Sequence, residues 1–352
     1  MVTKYSQRSC IFTGNSERDL FLEKTLNVLV TGATGFVGSH VVDVLLERGH
    51  TVSYIARSTS NLRWLADKPA TRVDGSLFDK ESLRAAVERA DIIIHVAGLT
   101  AAKNEAEFRR GNTEATQNLI NAVRAYRPGL VRFVHISSLA VSGPSPNLAN
   151  PVTEDSPYNP ITSYGRTKQL AELAVLEATE IPFTIIRPPA VYGPRDSAIY
   201  TFFQTVNKGL ATFIGFDQKR LSLVHVRDLA RGIVDAAFSP KTIGQTYFIS
   251  SDEFYTWREI AELTGSILER QRLLRIRLPH TLVLGIAGIA GFIGRISGKP
   301  SVLDYEKGVD IIQSFWTCST EKARADFGYR QEISLEEGLR DTIRWYKEQK
   351  WL

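Results

Sequence analysis

Asn27-Val28-Leu29-Val30-Thr31 runs into Gly32-Ala33-Thr34-Gly35-Phe36-Val37-Gly38 and then into Ser39-His40-Val41-Val42-Asp43-Val44-Leu45-Leu46. A β-branched run of strand length, three spaced glycines and a stretch with helical periodicity spell strand, glycine turn and helix. Gly32 permits the tight turn, Gly35 lets backbone N–H groups approach a pyrophosphate at the helix N-terminus, and Gly38 lets the helix pack closely on the sheet. Three glycines alone are weak evidence. The strand before and the helix after are what make them a dinucleotide-site signal.

Working outward, strand-length apolar runs recur at 52–56, 91–96, 131–137 and 183–187, with helical stretches at 36–48, 80–89, 105–126 and 164–179. A run such as Ile92-Ile93-Ile94 is apolar on both faces, which calls for helices above and below. The expected fold class is therefore α/β, a Rossmann doubly wound parallel sheet whose ligands bind at the carboxyl ends of the strands. After Pro194 the pattern loosens, with strands expected near 222–226 and 245–250 and helices at 226–238 and 256–268. We expect a polar lead-in over 1–25, a dinucleotide-binding domain over 26–190, and a smaller, mostly helical substrate lobe over 191–352 that shares some strands with the first domain.

The 352 residues are 43% hydrophobic and 23% charged, with a formal charge of +5. That composition excludes disorder and small disulfide scaffolds. Cys10 and Cys318 are the two cysteines, without a Cys-x-x-Cys or Cys/His cluster, so no metal site is expected and a reducing cytoplasm fits. Residues 1–24 carry charges throughout and no continuous apolar stretch, unlike a secretory signal. Four of the excess cations are Arg270, Arg272, Arg275 and Arg277; without them the charge is +1, so nucleic acid recedes as a partner.

Two further features point to chemistry. At the end of the second strand, where an Asp or Glu about 20 residues past the glycines would accept ribose hydroxyls, the chain has Arg57-Ser58, a cation and a hydroxyl suited to a 2′-phosphate. NADP(H) is therefore favoured over NAD. Tyr164-Gly165-Arg166-Thr167-Lys168 puts a phenol and an ammonium on one helical face, where the ammonium is expected to lower the Tyr pKa toward neutrality for general acid–base work. The same spacing at Tyr346 and Lys350 reads as decoration of a polar helix. Ser137-Ser138 ends a buried strand at the same sheet edge, where a hydroxyl can bond a substrate oxygen.

Together with His95-Val96-Ala97-Gly98, Gly111-Asn112-Thr113, Ile136 to Gly143 and Arg187 to Pro194, these motifs fall in the order and spacing of the extended short-chain dehydrogenase/reductases, the NAD(P)-dependent epimerase/dehydratase superfamily, which the chain resembles over roughly residues 26 to 346. The resemblance implies Tyr164 as proton donor or acceptor, Lys168 as the group that lowers its pKa and holds the nicotinamide ribose, and Ser138, five before Gly143, as the residue that orients the substrate oxygen. Ser137 would be its structural neighbour. The implied cofactor contacts are Gly32, Thr34, Gly35, Phe36, Val37, Gly38, Arg57, Ser58, Leu77, Ala97, Gly98, Tyr164, Lys168, Pro188 and Val191, with Asn112 structural. At Leu77 the chain departs from the family: it has Gly75-Ser76-Leu77, with Asp74 displaced.

Nucleotide-sugar epimerases in this family place an arginine before the strand leading to Val-x-Asp. Here Leu221 stands at that position and Arg220 is one residue off, facing the other side of a strand. Ser138 is followed by Leu139 and Ala140 rather than the acidic pair of dehydratases. The Ser-Leu-Val-His-Val-x-Asp wording at 222–228 and the late Phe315 to Ala323 resemble the hydroxysteroid dehydrogenase and dihydroflavonol reductase branch. His225 in that run reads as a half-buried structural imidazole. The expected function is interconversion of a secondary alcohol and a ketone on a bulky apolar, sterol-, flavonol- or lipid-like small molecule. An NAD-dependent nucleotide-sugar epimerase and a non-enzymatic NADP(H) sensor or scaffold are the alternatives.

From Leu278 to Gly294 no formal charge occurs, and Gly285, Gly288, Gly291 and Gly294 recur every three residues. The segment is marginal for a span. It reads as a core helix, a wall of an apolar cleft, or, with the four arginines before it, a peripheral membrane contact over 270–294 that would make the protein membrane-associated. A homodimer stays open.

Overall fold

In a computed structural model, which describes residues 25–270, 272–297 and 305–352, the chain forms β1 (Asn27–Thr31), β2 (Thr51–Ala56), β3 (Ala70–Asp74), β4 (Ile92–His95), β5 (Arg132–Ile136), β6 (Phe183–Arg187), β7 (Ala190–Tyr192), β8 (Leu210–Ile214), β9 (Arg220–His225), β10 (Gln245–Phe248), β11 (Phe254–Tyr255), β12 (Leu274–Leu278) and β13 (Phe315–Trp316). The lead-in expected over 1–25 lies, but for Thr25, outside the described residues.

Seven strands make one parallel sheet in the order β10-β6-β5-β4-β1-β2-β3. Alternate side chains of each central strand enter opposite layers, as the pleat requires. Val28, Val30, Ile92, Ile94, Val134 and Ile136 pack with Val41, Val42 and Leu45 of the helix Phe36–Glu47 and with Leu229 and Ile233 of the helix Val226–Phe238. Leu29, Ile93, Phe133 and Ile185 face the helices Lys80–Val87, Ala115–Tyr126 and Ser163–Glu177 through Leu83, Leu119 and Val175. Both faces are thus covered, and the strands are almost wholly buried.

The strand β10 returns from beyond residue 240 to pair with β6, and the helix before it shares a core with the helix after the glycine turn. The rest of the C-terminal half is built on β9, which pairs with β7, β11 and β13, and on the separate parallel pair β8–β12. It is less purely helical than its sequence suggests. Three short strands there, β7, β8 and β12, and the sheet-edge strand β3 carry no clear strand signal. Ala-Thr-Arg-Val-Asp of β3 is half exposed, so packing against β2 rather than its own pattern sets it.

The helix expected over 105–126 is interrupted. Glu105–Phe108 passes through a π-helical turn, Arg109–Glu114, before Ala115–Tyr126 begins. Such a turn re-aims the side chains it carries, and Gly111 and Asn112 lie in it.

Candidate active site

Strand register assembles the site. Thr31 of β1 pairs with His95 of β4, His95 with His135 of β5, and Ile136 with Ile186 of β6. Because all run parallel and in register, Gly32, Ala97-Gly98, Ser137-Ser138 and Pro188 leave the sheet at one edge. Chain order reverses between β1 and β4, the position where open parallel sheets leave a crevice.

The turn has the geometry its glycines imply. Gly32 has φ +71°, and a methyl there would sit 2.6 Å from the Ala97 nitrogen. A methyl on Gly38 would fall 2.2 Å from the Gly32 carbonyl oxygen, so the close approach is to the turn itself rather than to the sheet surface. Gly35 precedes the helix with no side-chain cap and no acidic residue in the first turn. The Gly35 N–H is taken by the Gly32 carbonyl at 3.0 Å, which closes the turn, and the N–H groups of Thr34, Phe36 and Val37 are left for an incoming acceptor, which suits a pyrophosphate.

Tyr164 and Lys168 stand in the first turns of the helix Ser163–Glu177, started by Thr162, whose hydroxyl accepts from Gly165 N–H at 3.1 Å. The Ser138 hydroxyl accepts from Ala140 N–H at 3.2 Å and lies beside the Tyr164 phenol, whose pKa it lowers. Lys168 is buried, and its Nζ donates to the Ile136 carbonyl at 2.6 Å. Burial lowers its pKa to about 8. The expected drop in the Tyr164 pKa is corrected: burial pushes the phenol up, the Ser138 hydroxyl pulls it partly back and the Asp310 carboxylate raises it, for a net rise. The ammonium is engaged with a carbonyl, so the serine rather than the lysine stabilises the phenol's charged form here.

Beneath these groups lies a buried polar floor. Thr31 Oγ1 and His95 Nδ1 are 2.7 Å apart, and His95 Nε2 and Thr116 Oγ1 are 2.9 Å apart. Thr116 donates to the Asn112 carbonyl at 2.6 Å, so His95 Nε2 carries the proton and Thr31 donates to Nδ1. Burial lowers the His95 pKa to about 3, keeping it neutral. Asn112 Oδ1 accepts from Leu99 N–H at 2.7 Å, and its Nδ2 donates to the Leu99 carbonyl and to Thr167 Oγ1, both at 3.2 Å. The π-helical turn thus lets one amide lock the 97–99 loop to the Tyr164 helix. A methyl on Gly98 would lie 3.0 Å from that Oδ1 and 3.7 Å from Lys168 Nζ, so the loop, Asn112 and the lysine meet. Pro188 joins them, its carbonyl accepting from Leu139 N–H at 2.8 Å. Val191 lies a short step further, paired with Val224 in β7–β9.

At the far end of the crevice Arg57 and Ser58 are exposed, with the Arg57 N–H bonded to Ser60 Oγ at 3.1 Å. Arg72 of β3 reaches the Arg57 carbonyl at 3.4 Å while pairing with Asp74 at 2.5 Å. Two guanidiniums therefore lie near this corner, the second missed because β3 was not legible. Asp74 is turned to Arg72, and the Leu77 carbonyl is held by Asn118 Nδ2 at 3.0 Å. The residues fit a dinucleotide: an uncapped helix end, a backbone cradle free of side chains, and a cationic rather than acidic corner.

A helix far along the chain, Tyr305–Ile311, also reaches the site. Glu306 accepts from Ser163 N–H at 2.7 Å and from Arg166 at 2.9 Å, so its carboxylate sits on the N-terminus of the helix that carries Tyr164. Nothing local in Tyr-Glu-Lys-Gly-Val-Asp signals this. His225 is fully rather than half buried, accepts weakly from Arg227 N–H at 3.4 Å and stacks edge-on to Tyr192; burial lowers its pKa to about 4. It is structural. Arg220 is held by Glu259 at 3.2 Å and by the Phe254 carbonyl while Leu221 is buried, so neither offers a cation to the crevice. Tyr346 is no decoration: it is buried and donates to the Asp196 carbonyl at 2.9 Å, whereas Lys350 lies beyond the helix Leu335–Glu348.

Residues 28–255 match the model of the NAD dependent epimerase/dehydratase family. Among curated proteins, the chain is 29% identical over 328 residues to a ceramide reductase of Caulobacter vibrioides, covering 92% of this chain and 96% of that one. It is 30% identical over 342 residues to a 3 beta-hydroxysteroid dehydrogenase/Delta 5-->4-isomerase of Mycobacterium tuberculosis, covering 91% and 90%. Among solved structures, a UDP-glucose 4-epimerase of Thermotoga maritima superimposes with a TM-score of 0.76 at 21% identity, over 92% of this chain and 100% of that one, a likeness of fold.

Proposed function

This chain belongs to the NAD dependent epimerase/dehydratase family as an enzyme of the extended short-chain dehydrogenase/reductase type, and within it we propose an NADP(H)-dependent oxidoreductase that interconverts a secondary alcohol and a ketone on a bulky, apolar substrate. The observation that carries this reading is the placing of Ser138 beside the Tyr164 phenol, with the Lys168 ammonium close to the loop at Gly98. When bound, the dinucleotide supplies the hydride. Gly32 to Gly38 would hold its pyrophosphate, Arg57 its 2′-phosphate, and Lys168 with the 97–99 loop and Pro188 its nicotinamide end.

The chain's own chemistry is proton handling at one oxygen. Ser138 donates to the substrate oxygen and fixes it against Tyr164, and the phenol gives that oxygen its proton in reduction or removes it in oxidation. The phenol pKa stays high, which favours the protonated donor needed for ketone reduction at neutral pH. The apolar substrate class draws support from the absence of a free Arg at 220–221 and from relatives named for ceramide and 3 beta-hydroxysteroid chemistry.

The test is Tyr164→Phe assayed by NADPH oxidation with long-chain and polycyclic ketones. Loss of turnover with NADPH affinity within about twofold of wild type is expected; continued turnover refutes the assignment of the proton. Protein that retains NAD through gel filtration and isomerises nucleotide sugars without net redox change would establish the epimerase reading instead.

A further inference from the structure

We propose that the surface formed by β12 and the helix His280–Ser297 docks the protein onto an anionic lipid bilayer, lying on it rather than crossing it. The helix has two faces of different fate. Val283, Ala287 and Gly291 are buried, and Ala287 and Leu284 lie against Gly308 of the next helix. Leu282, Ile286 and Ile289, spaced i, i+4 and i+7, are bare, at 48%, 44% and 63% exposure. Gly285 stands open between them, and no charged side chain interrupts the stripe. The core-helix reading of this segment therefore accounts for one face and leaves the other uncovered among the described residues.

The strand feeding this helix carries exposed apolar side chains of its own. Along β12, Leu274 and Ile276 share one face by the two-residue period and are exposed, while Arg275 and Arg277 occupy the other. Phe216, 71% exposed, is held near the end of the strand by the Gly215 N–H bond to the Leu278 carbonyl and lies under the Arg277 guanidinium at 5.8 Å, an aromatic ring on the arginine face. Six of the thirteen exposed large apolar side chains among the described residues fall between Leu274 and Tyr305, a concentration that marks a contact surface.

Charge selects the occupant. From Arg270 to Leu303 the sequence holds five arginines and one lysine, and no Asp or Glu. Arg270 bonds Asn207, Arg275 pairs with Glu262 at 2.8 Å, and Arg272 is exposed. An apolar face rimmed by cations matches a bilayer with anionic headgroups, where the apolar residues enter the acyl boundary and the arginines rest on phosphates. No described helix is long and apolar enough to cross a membrane. The patch connects to the site through Gly308, since the helix packed on Ala287 carries Glu306, which caps the helix that carries Tyr164. This inference rests on the surface and stands independently of the substrate reading above.

The test is flotation of the full chain with phosphatidylcholine vesicles, with or without phosphatidylglycerol. Wild type is expected to float with the anionic vesicles only and to be released by high salt. The combined Leu282→Ser, Ile286→Ser, Ile289→Ser variant, and separately the Arg270, Arg272, Arg275 and Arg277→Gln variant, should each lose at least about tenfold in partitioning while binding NADPH as wild type does. Wild type remaining at the bottom of the gradient overturns the proposal, as does equal flotation of both variants. A lipid-free dimer that the triple-serine variant converts to monomer, with no vesicle binding, assigns the face to a second copy and also overturns it.

Discussion

Lys168 gives a hydrogen bond to the Ile136 carbonyl at 2.6 Å, fastening the Tyr164 helix to the end of β5 two residues before Ser138. One contact therefore sets the position of the helix and the charge beside the crevice. Burial lowers this ammonium's pKa to about 8, so the charge is present below that pH and lost above it.

Ketone reduction should follow that titration. The rate is expected to hold between pH 6 and 7 and to fall along a limb with an apparent pKa near 8, because the neutral amine neither holds a ribose hydroxyl as strongly nor supports the site's charge. Lys168→Arg, protonated throughout, should move the limb upward by at least about one pH unit even if its overall rate is lower. A pH–rate profile identical in the two proteins would remove Lys168 as its origin.

Gly38→Ala places a methyl 2.2 Å from the Gly32 carbonyl oxygen, and the obstructing atoms are backbone that no rotamer change can clear. A destabilisation of about 1–3 kcal/mol is expected, together with weakened dinucleotide binding. Gly49→Ala is the contrasting control, since its methyl meets nothing within 4 Å and only its φ of +78° is strained. Thermal melts with and without NADPH measure both effects.

Arg57→Glu replaces a guanidinium with a carboxylate at the corner expected to receive the 2′-phosphate. The ratio of kcat/KM for NADPH over NADH should fall by about 10- to 100-fold, the range for a charge-assisted phosphate contact. An unchanged ratio would mean that Arg57 is solvated surface and that Arg72 or the backbone carries any preference.

Acid should unfold the protein earlier than its surface charge suggests. His40, which bonds the Pro194 carbonyl at 2.9 Å, and His95 both have pKa values lowered to about 3 by burial. The unfolded chain takes up these protons near pH 6.5 and the folded one does not, so stability is full above pH 6.5 and is lost as pH falls toward 3. Each imidazole contributes about 1.4 kcal/mol per pH unit in that window. Melting temperatures from pH 7 to pH 5 should drop steeply, and His40→Gln should make the slope shallower; a flat profile in wild type would contradict the buried neutral assignment.

The Rossmann half was legible because its signals are local. Asn27 to Leu46 carries strand, turn and helix within twenty residues, and Ile92-Ile93-Ile94 announces burial on both faces. Ser138, Tyr164 and Lys168 could be named because the first two follow strand or cap signals and the last is one helical turn on. The edge strand β3 and the pair β8–β12 were not legible: their residues are half exposed, and pairing partners rather than their own apolar pattern hold them extended.

By itself the sequence determined the parallel sheet and the glycine turn, since each depends on side-chain periods within one element or on turn chemistry at fixed spacing, and it singled out Ser138, Tyr164 and Lys168 as a candidate trio through a family resemblance. Only the tertiary structure decided what surrounds that trio: Asn112 locking the Leu99 loop through a π-helical turn, Glu306 reaching the Ser163 amide from 143 residues away, and the bare Leu282–Ile286–Ile289 stripe. Those relationships depend on register, crossover and which helix face finds a partner. No window of sequence contains them, because proximity across the fold is a property of packing and not of spacing along the chain.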